Sequence, residues 1–275
     1  MLKTRVITAV LLFAFFIPAL FILGNVSWAY AMLVFCLLGL YEWGGMIQLS
    51  SMQNKFYVGF AAFAGLLGVY LLQQFGFHQF FFNSLLVFVI VAIFWFFVVP
   101  IWFKTKTVIG NKLLMSALGL LLIASLWLAL ICAKGADPLL LLLLLATIWI
   151  ADSAAYFAGK NFGKHKLAPH ISPGKTWEGV LGAMIAVTAF GAIIYFNDGL
   201  GFHQMIVFPG LWLIVGLGVV GDLFESLMKR QANLKDSGHL LPGHGGILDR
   251  VDGIIPSLPI AILMIYTNSY FNTIA

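Results

Sequence analysis

The sequence predicts an all-α polytopic integral membrane protein of about nine transmembrane helices, with its N-terminus in the cytoplasm and its C-terminus outside. Three observations predict this. The 275 residues are 62% hydrophobic with a mean hydropathy of +1.02, too little polar surface to coat a soluble globule. The apolar stretches are continuous rather than alternating, and each has roughly the 20 residues a helix needs to cross the hydrocarbon core. The basic residues, finally, divide very unequally between the connections.

The spans are expected at about 6–23, 28–45, 56–73, 80–99, 113–131, 138–158, 177–196, 205–227 and 253–271. Met1-Leu-Lys-Thr-Arg5 ahead of an apolar run is signal-like, and Ala29-Tyr-Ala31 offers a cleavage site. Val6 to Leu23 is longer than a signal core, however, and Ala31 opens a further apolar run, so a retained first helix is expected. Gly44, Gly45 and the polar link 48–55 blur the edge between the second and third spans.

Nine spans place the N-terminus and the connections near 46–55, 100–112, 159–176 and 228–252 on one side. That side carries 14 of the 15 basic residues, and the other holds only Lys134. Positive-inside bias makes the basic side cytoplasmic. Residues 1–135 then read as scaffold helices, and 136–275 as the region carrying chemistry, with cytoplasmic loops 159–176 and 228–252. Phe77, Phe80, Phe81, Phe82, Trp95, Phe96 and Phe97 are expected to face lipid or anchor its interface. Cys36 and Cys132 lie in apolar runs and read as buried small hydrophobes, with no disulfide framework or Cys/His metal site.

Of 25 charged residues, nine fall between Gly221 and Asp252: Asp222, Glu225, Lys229, Arg230, Lys235, Asp236, Asp249, Arg250 and Asp252. Asp222 and Glu225 share a helix face by their i, i+3 spacing, and Lys229 stands four beyond Glu225. An ordinary salt bridge accounts for Glu225 and Lys229. It does not account for Asp222, which follows the apolar run Leu211–Gly221, where an acid is costly and marks a functional site. Asp249 and Asp252 repeat the spacing at the start of the ninth span, where favouring the helix dipole is the plainer reading. If the eighth and ninth helices are antiparallel neighbours, the four carboxylates converge and require a cation. Oxygen-only ligands suit a hard ion such as Mg²⁺.

Between the acidic pairs, Pro242-Gly-His-Gly-Gly246 allows a tight turn whose N–H groups, together with His244, Gly245 and Gly246, suit phosphate. Lys229, Arg230, Lys235 and Arg250 surround it. In the other charged loop, Gly174-Lys-Thr176 is no Walker motif, because the glycine required five positions earlier is Pro169. Ser172 and Thr176 suit capping of the seventh helix, and Lys175 at its N-terminus suits an anion. Asp152 interrupts the sixth span and is expected to face the same interior site.

Ser226-Leu-Met-Lys-Arg230, then Lys235-Asp236, then His244-Gly-Gly-Ile-Leu-Asp-Arg-Val-Asp252 resembles the signature of the phosphatidate cytidylyltransferases, or CDP-diacylglycerol synthases. Ala151–Tyr156 and Ser172–Gly179 resemble that family too, with Gly174 as a variation, and the resemblance covers roughly residues 140–260. It implies transfer of a cytidylyl group from CTP to phosphatidic acid in the bilayer, giving CDP-diacylglycerol and pyrophosphate in phospholipid biosynthesis. It also implies Mg²⁺, with a second cation as the further option, and a homodimer in the cell (inner) membrane, with no nucleic-acid partner. Asp222 and Asp249 are then the metal ligands, with Glu225 and Asp252 as further ligands or orienters. Lys229, Arg230 and Arg250 act on the reacting phosphates; Asp152, Ser172, Lys175, Thr176, Lys235, Asp236, His244, Gly245 and Gly246 bind substrate. Two rivals remain: another CTP-dependent lipid phosphotransferase such as a polyprenol kinase, and an ion or phosphate transporter. Transport predicts charge reaching both faces, whereas the charge here gathers at one.

Overall fold

The computed structural model describes residues 2–196, 207–240, 243 and 245–274. His244 and the start of the expected eighth span lie outside them. The chain is helical almost throughout: α1 (Leu2–Ile22), α2 (Asn25–Met46), α3 (Ser51–Ile93), a π-helical turn (Phe94–Val98), α4 (Val99–Thr105), α5 (Lys112–Ala136) and α6 (Pro138–Phe162). A hairpin of β1 (Lys166–Ala168) and β2 (Ser172–Thr176) precedes α7 (Trp177–Phe196), α8 (Val207–Gln231), the short α9 (Leu248–Val251) and α10 (Ile254–Ile274). Six helices among the described residues are long and apolar enough to cross a membrane.

Local chemistry sets the helix starts. Ser50 and Gln53 form a reciprocal capping box on α3. Asn111 caps α5, and Asp137 caps α6 with Pro138 in its first turn. Two expectations need amendment. The 159–176 connection is not an open loop: β1 and β2 pair antiparallel, Lys166 opposite Thr176 and Ala168 opposite Ser172. The expected third and fourth spans fall on one continuous helical stretch, turned at Gly76. Its φ of 77° and ψ of 173° belong to a region open essentially to glycine alone. Trp127 of α5 packs on Gly68 before that turn and on Phe80 after it, so the second arm runs back along the first.

The bundle is organised on α5. Trp28 Nε1 donates to Leu130 O (3.1 Å), Trp127 Nε1 to Ala29 O (3.0 Å) and Trp43 Nε1 to Met115 O (2.9 Å), so α2 and α5 run antiparallel in a fixed register. The apolar rings fill the core while each indole N–H finds a carbonyl. The aromatics expected to face lipid divide instead. Phe82, Phe96 and Phe97 are exposed, but Phe80, Phe81 and Trp95 are buried, and Trp95 meets Phe224 of α8 edge-on. Both cysteines are free and buried.

Contacts between connections define two ends. The Lys112 ammonium reaches Gln48 O, and Gln231 Nε2 donates to Thr107 O (3.1 Å). At the opposite end, Lys134 Nζ donates to Leu23 O (2.7 Å) and Asn25 Oδ1 (3.1 Å). α8 and α10 pack antiparallel: Ser257 Oγ donates to Ile214 O, and Gly218 touches Gly253. At Gly221 a Cβ would stand 2.2 Å from Asp252 O, so only glycine lets α8 approach the start of α10 this closely.

Candidate active site

That close approach sets the site. It brings Asp222 beside Asp252, and one and two turns further along α8 it brings Glu225 and Lys229 opposite Asp249. The two acidic pairs expected to converge therefore do so, and two lysines stand among them.

Lys229 Nζ lies 2.5 Å from Asp249 Oδ1 and also pairs with Glu225 Oε2. Both Glu225 oxygens are buried and, the Lys229 ammonium apart, have no hydrogen-bond partner among the described residues. The second carboxylate oxygen of Asp249 accepts from Gly246 N (2.8 Å), Ser237 N (3.0 Å) and Ser237 Oγ (3.1 Å). Burial alone would raise the Asp249 carboxyl, but the Lys229 ammonium and the Gly246 N–H outweigh it and hold the group below its usual value. The glycine turn serves this arrangement. Gly243 and Gly245 have φ of 77° and 82°, and a Cβ on Gly245 would stand 2.8 Å from Asp249 Oδ2.

The second centre is built by the hairpin. β2 carries Lys175 across to α8, where its Nζ lies 2.5 Å from Asp222 Oδ2. Ser226 Oγ donates to Asp222 Oδ1 (3.3 Å). Asp252 lies within electrostatic range of Asp222, Lys175 and Asp152, which joins Asp152 of α6 to the same region. Burial first, then the Asp222 charge, pushes the Asp252 carboxyl above its usual value, although Gly253 N donates to it (2.8 Å).

The remaining expected residues are placed as follows. Arg230, Lys235, Asp236 and Arg250 are exposed around the mouth of the loop. Ser172 is half-buried and pairs with Ala168 in the hairpin. Thr176 is buried, its Oγ1 accepts from Gly179 N (3.2 Å), and Gly159 and Gly163 close around it, so its hydroxyl is engaged in capping α7. Glu178 anchors the hairpin base, 2.6 Å from His165 Nδ1.

Sequence reasoning passed over Glu42. It sits on α2, in the stretch expected as scaffold, and is 4% exposed. Its Oε2 accepts from Leu248 N (3.0 Å) and Ser237 Oγ (3.2 Å). The signal was present: Glu42 is an acid inside an apolar run, the same criterion that singled out Asp152 and Asp222.

The donor set fits a hard cation in kind, since Asp222, Glu225, Asp249 and Asp252 offer only oxygen. Among the described residues no three His, Cys, Asp or Glu side chains lie together as a ready metal cluster. The two lysines instead neutralise Asp222 on one side and Glu225 with Asp249 on the other.

A helical bundle that gathers paired acids and lysines around a glycine turn at one end is suited to handling phosphate groups beside a bilayer. The chain belongs to the cytidylyltransferase family, whose match runs over residues 3–268. It is similar to a phosphatidate cytidylyltransferase of Pseudomonas aeruginosa, 33% identical over 97% of both chains. A protein of the same name from Haemophilus influenzae is 48% identical over 44% of this chain and 43% of its own. One from Staphylococcus aureus is 45% identical over 43% of this chain and 45% of its own.

Proposed function

We propose that the protein transfers the cytidylyl group of CTP to phosphatidic acid, releasing pyrophosphate and forming CDP-diacylglycerol for phospholipid biosynthesis. The observation that carries this reading is the convergence of Asp222, Glu225, Asp249 and Asp252 with Lys175 and Lys229 in a chain that matches the family almost end to end.

The lipid phosphate is mostly ionised near neutral pH, given a second pKa of roughly 6, so no strong base is needed. Its oxygen attacks the α-phosphorus of CTP. A phosphorus–oxygen bond forms there as the bond to the β-phosphate breaks, and pyrophosphate departs with the electron pair. The difficulty is to bring two polyanions together and to stabilise the charge that moves onto the leaving group. Lys229 and Lys175 supply buried and half-buried positive charge, and Arg230, Lys235 and Arg250 take the nucleotide phosphates at the mouth. The N–H groups of the glycine turn, with His244, complete the cradle. Asp222 and Asp249 are the residues that would hold Mg²⁺, with Glu225 and Asp252 beside them and a second cation in the same acidic region. An ion held there would neutralise phosphate charge and polarise the α-phosphorus.

The bundle crosses the cell (inner) membrane in nine spans, with the N-terminus and the site cytoplasmic and the C-terminus outside, as a homodimer. Supporting this topology are the reversal at Gly76, the basic connections that meet at one end, and Lys134 at the other.

The test is purified protein with CTP and phosphatidic acid. Pyrophosphate release that depends on both substrates and on Mg²⁺ supports the reading. Release of CDP in place of pyrophosphate points to a lipid kinase and overturns it.

A further inference from the structure

We infer that Glu42, from the N-terminal half of the chain, is a positioning residue for the reaction, acting through Ser237 and Leu248 on Asp249. The inference deepens the activity proposed above and rests on it.

The geometry is specific. Glu42 Oε2 accepts two hydrogen bonds from the two ends of one loop: the Ser237 hydroxyl (3.2 Å) and the Leu248 backbone N–H (3.0 Å). Residues 237 and 248 are the near and far ends of the segment containing the glycine turn. Ser237 shares its Oγ between Glu42 and Asp249 Oδ2 and also gives Asp249 its N–H. One carboxylate thus closes the loop at its base and orders the donors that aim Asp249.

Packing repeats the message. At Gly238 a Cβ would stand 2.4 Å from Glu42 Oε1, and at Gly246 another would stand 2.5 Å from Oε2 and 2.0 Å from Ser237 Oγ. Both loop glycines are therefore seated on this side chain, and Gly246 is the residue whose N–H bonds Asp249. Gly39, one turn earlier on α2, lies against Leu248 and Ile247.

Stability alone does not account for the residue. Glu42 Oε1 is buried and has no hydrogen-bond partner among the described residues. A buried, incompletely paired carboxylate is a poor substitute for an apolar side chain of similar volume when packing is the only requirement. The acid is explained by what it orients: an acceptor with no donor of its own, facing two donors.

The test compares Glu42→Ala, Glu42→Gln and Ser237→Ala, each normalised to folded protein from size-exclusion chromatography. Glu42→Ala is expected to lose about 10- to 100-fold in kcat, the usual effect of removing an orienting partner, with KM for CTP little changed. Glu42→Gln keeps an oxygen acceptor for Ser237 and Leu248 and is expected to retain most of the rate. Ser237→Ala is expected to lose less than Glu42→Ala, and the double variant to be no worse than Glu42→Ala alone, because both act through one contact. Amide exchange is expected to quicken in 237–248 and to stay unchanged elsewhere. An unchanged kcat in Glu42→Ala overturns the inference, as does Glu42→Gln being as inactive as Glu42→Ala, additive losses, or exchange that quickens evenly across the bundle. If Glu42→Ala fails to insert, Ser237→Ala decides alone: a wild-type rate with unaltered loop exchange overturns the inference. Wild-type pyrophosphate release separately tests the activity, and the exchange measurement does not depend on turnover.

Discussion

Lys229 neutralises two carboxylates at once, so its removal has a calculable consequence. In Lys229→Met the apolar stem is nearly preserved and the charge is lost. The lysine side chain is 13% exposed, and its partners Glu225 and Asp249 are 7% and 9% exposed. Little water is therefore available to replace the ammonium. Breaking a buried pair by removing one partner costs about 3–5 kcal/mol, chiefly because the other charge is left uncompensated. Asp249 keeps three other donors, Gly246 N, Ser237 N and Ser237 Oγ, whereas Glu225 has no other hydrogen-bond donor among the described residues. Most of the cost therefore falls on Glu225. For a chain of this size, a destabilisation of that order lowers the midpoint of thermal unfolding by about 10 °C. The eight tryptophans make intrinsic fluorescence a suitable monitor in detergent. Adding Glu225→Gln to Lys229→Met should restore more than half of the shift, because the uncompensated charge is gone. An unfolding midpoint within about 2 °C of wild type in the single variant, or no recovery in the double, refutes this account of the pair.

Asp249→Asn places an amide nitrogen against either the Lys229 ammonium or the Gly246 and Ser237 donors; turnover should fall by about a hundredfold or more, measured as pyrophosphate release, with the protein still monodisperse. Gly245→Ala combines a φ of +82° with a Cβ 2.8 Å from Asp249 Oδ2, so kcat should drop together with about 1–3 kcal/mol of stability, followed by the same assay and by thermal unfolding. In Gly76→Ala the new methyl group meets no atom of the described residues within 4 Å, so backbone strain is what counts. It should lose about 1–3 kcal/mol in thermal unfolding while specific activity is unchanged.

Much of this architecture was legible in the residues because two strong signals agreed. Runs of about twenty apolar residues set the helices, and the one-sided basic residues anticipated that the connections at 48, 107, 112 and 231 meet at one end. The pairing of Asp222 and Glu225 with Asp249 and Asp252 followed from i, i+3 spacing once α8 and α10 were taken as neighbours. Other features depended on long-range contacts that periodicity does not carry. Nothing local indicated that Lys175 would reach Asp222 rather than serve only an anion, because that contact depends on a hairpin folding back over α8. Trp95 and Phe80 read as lipid-facing from composition, yet the return of the chain at Gly76 turns them inward. Glu42 carried the same local signal as Asp152 and Asp222, an acid in an apolar run, but what it serves is set by partners 195 and 206 residues away.

The reciprocal tryptophan bonds between α2 and α5 bear on how deep the acids sit. Trp28 and Glu42 are fourteen residues apart on one helix, about 21 Å at 1.5 Å per residue. A slip of α2 against α5 by a single turn, about 5.4 Å, would break the indole bonds of Trp28, Trp43 and Trp127 together. The far end of the bundle therefore acts as a datum for the near end. Where lipids of different length thin or thicken the surrounding bilayer, the height of Glu42 relative to Asp249 is set by protein carbonyls, and the hydrocarbon is left to adjust around it.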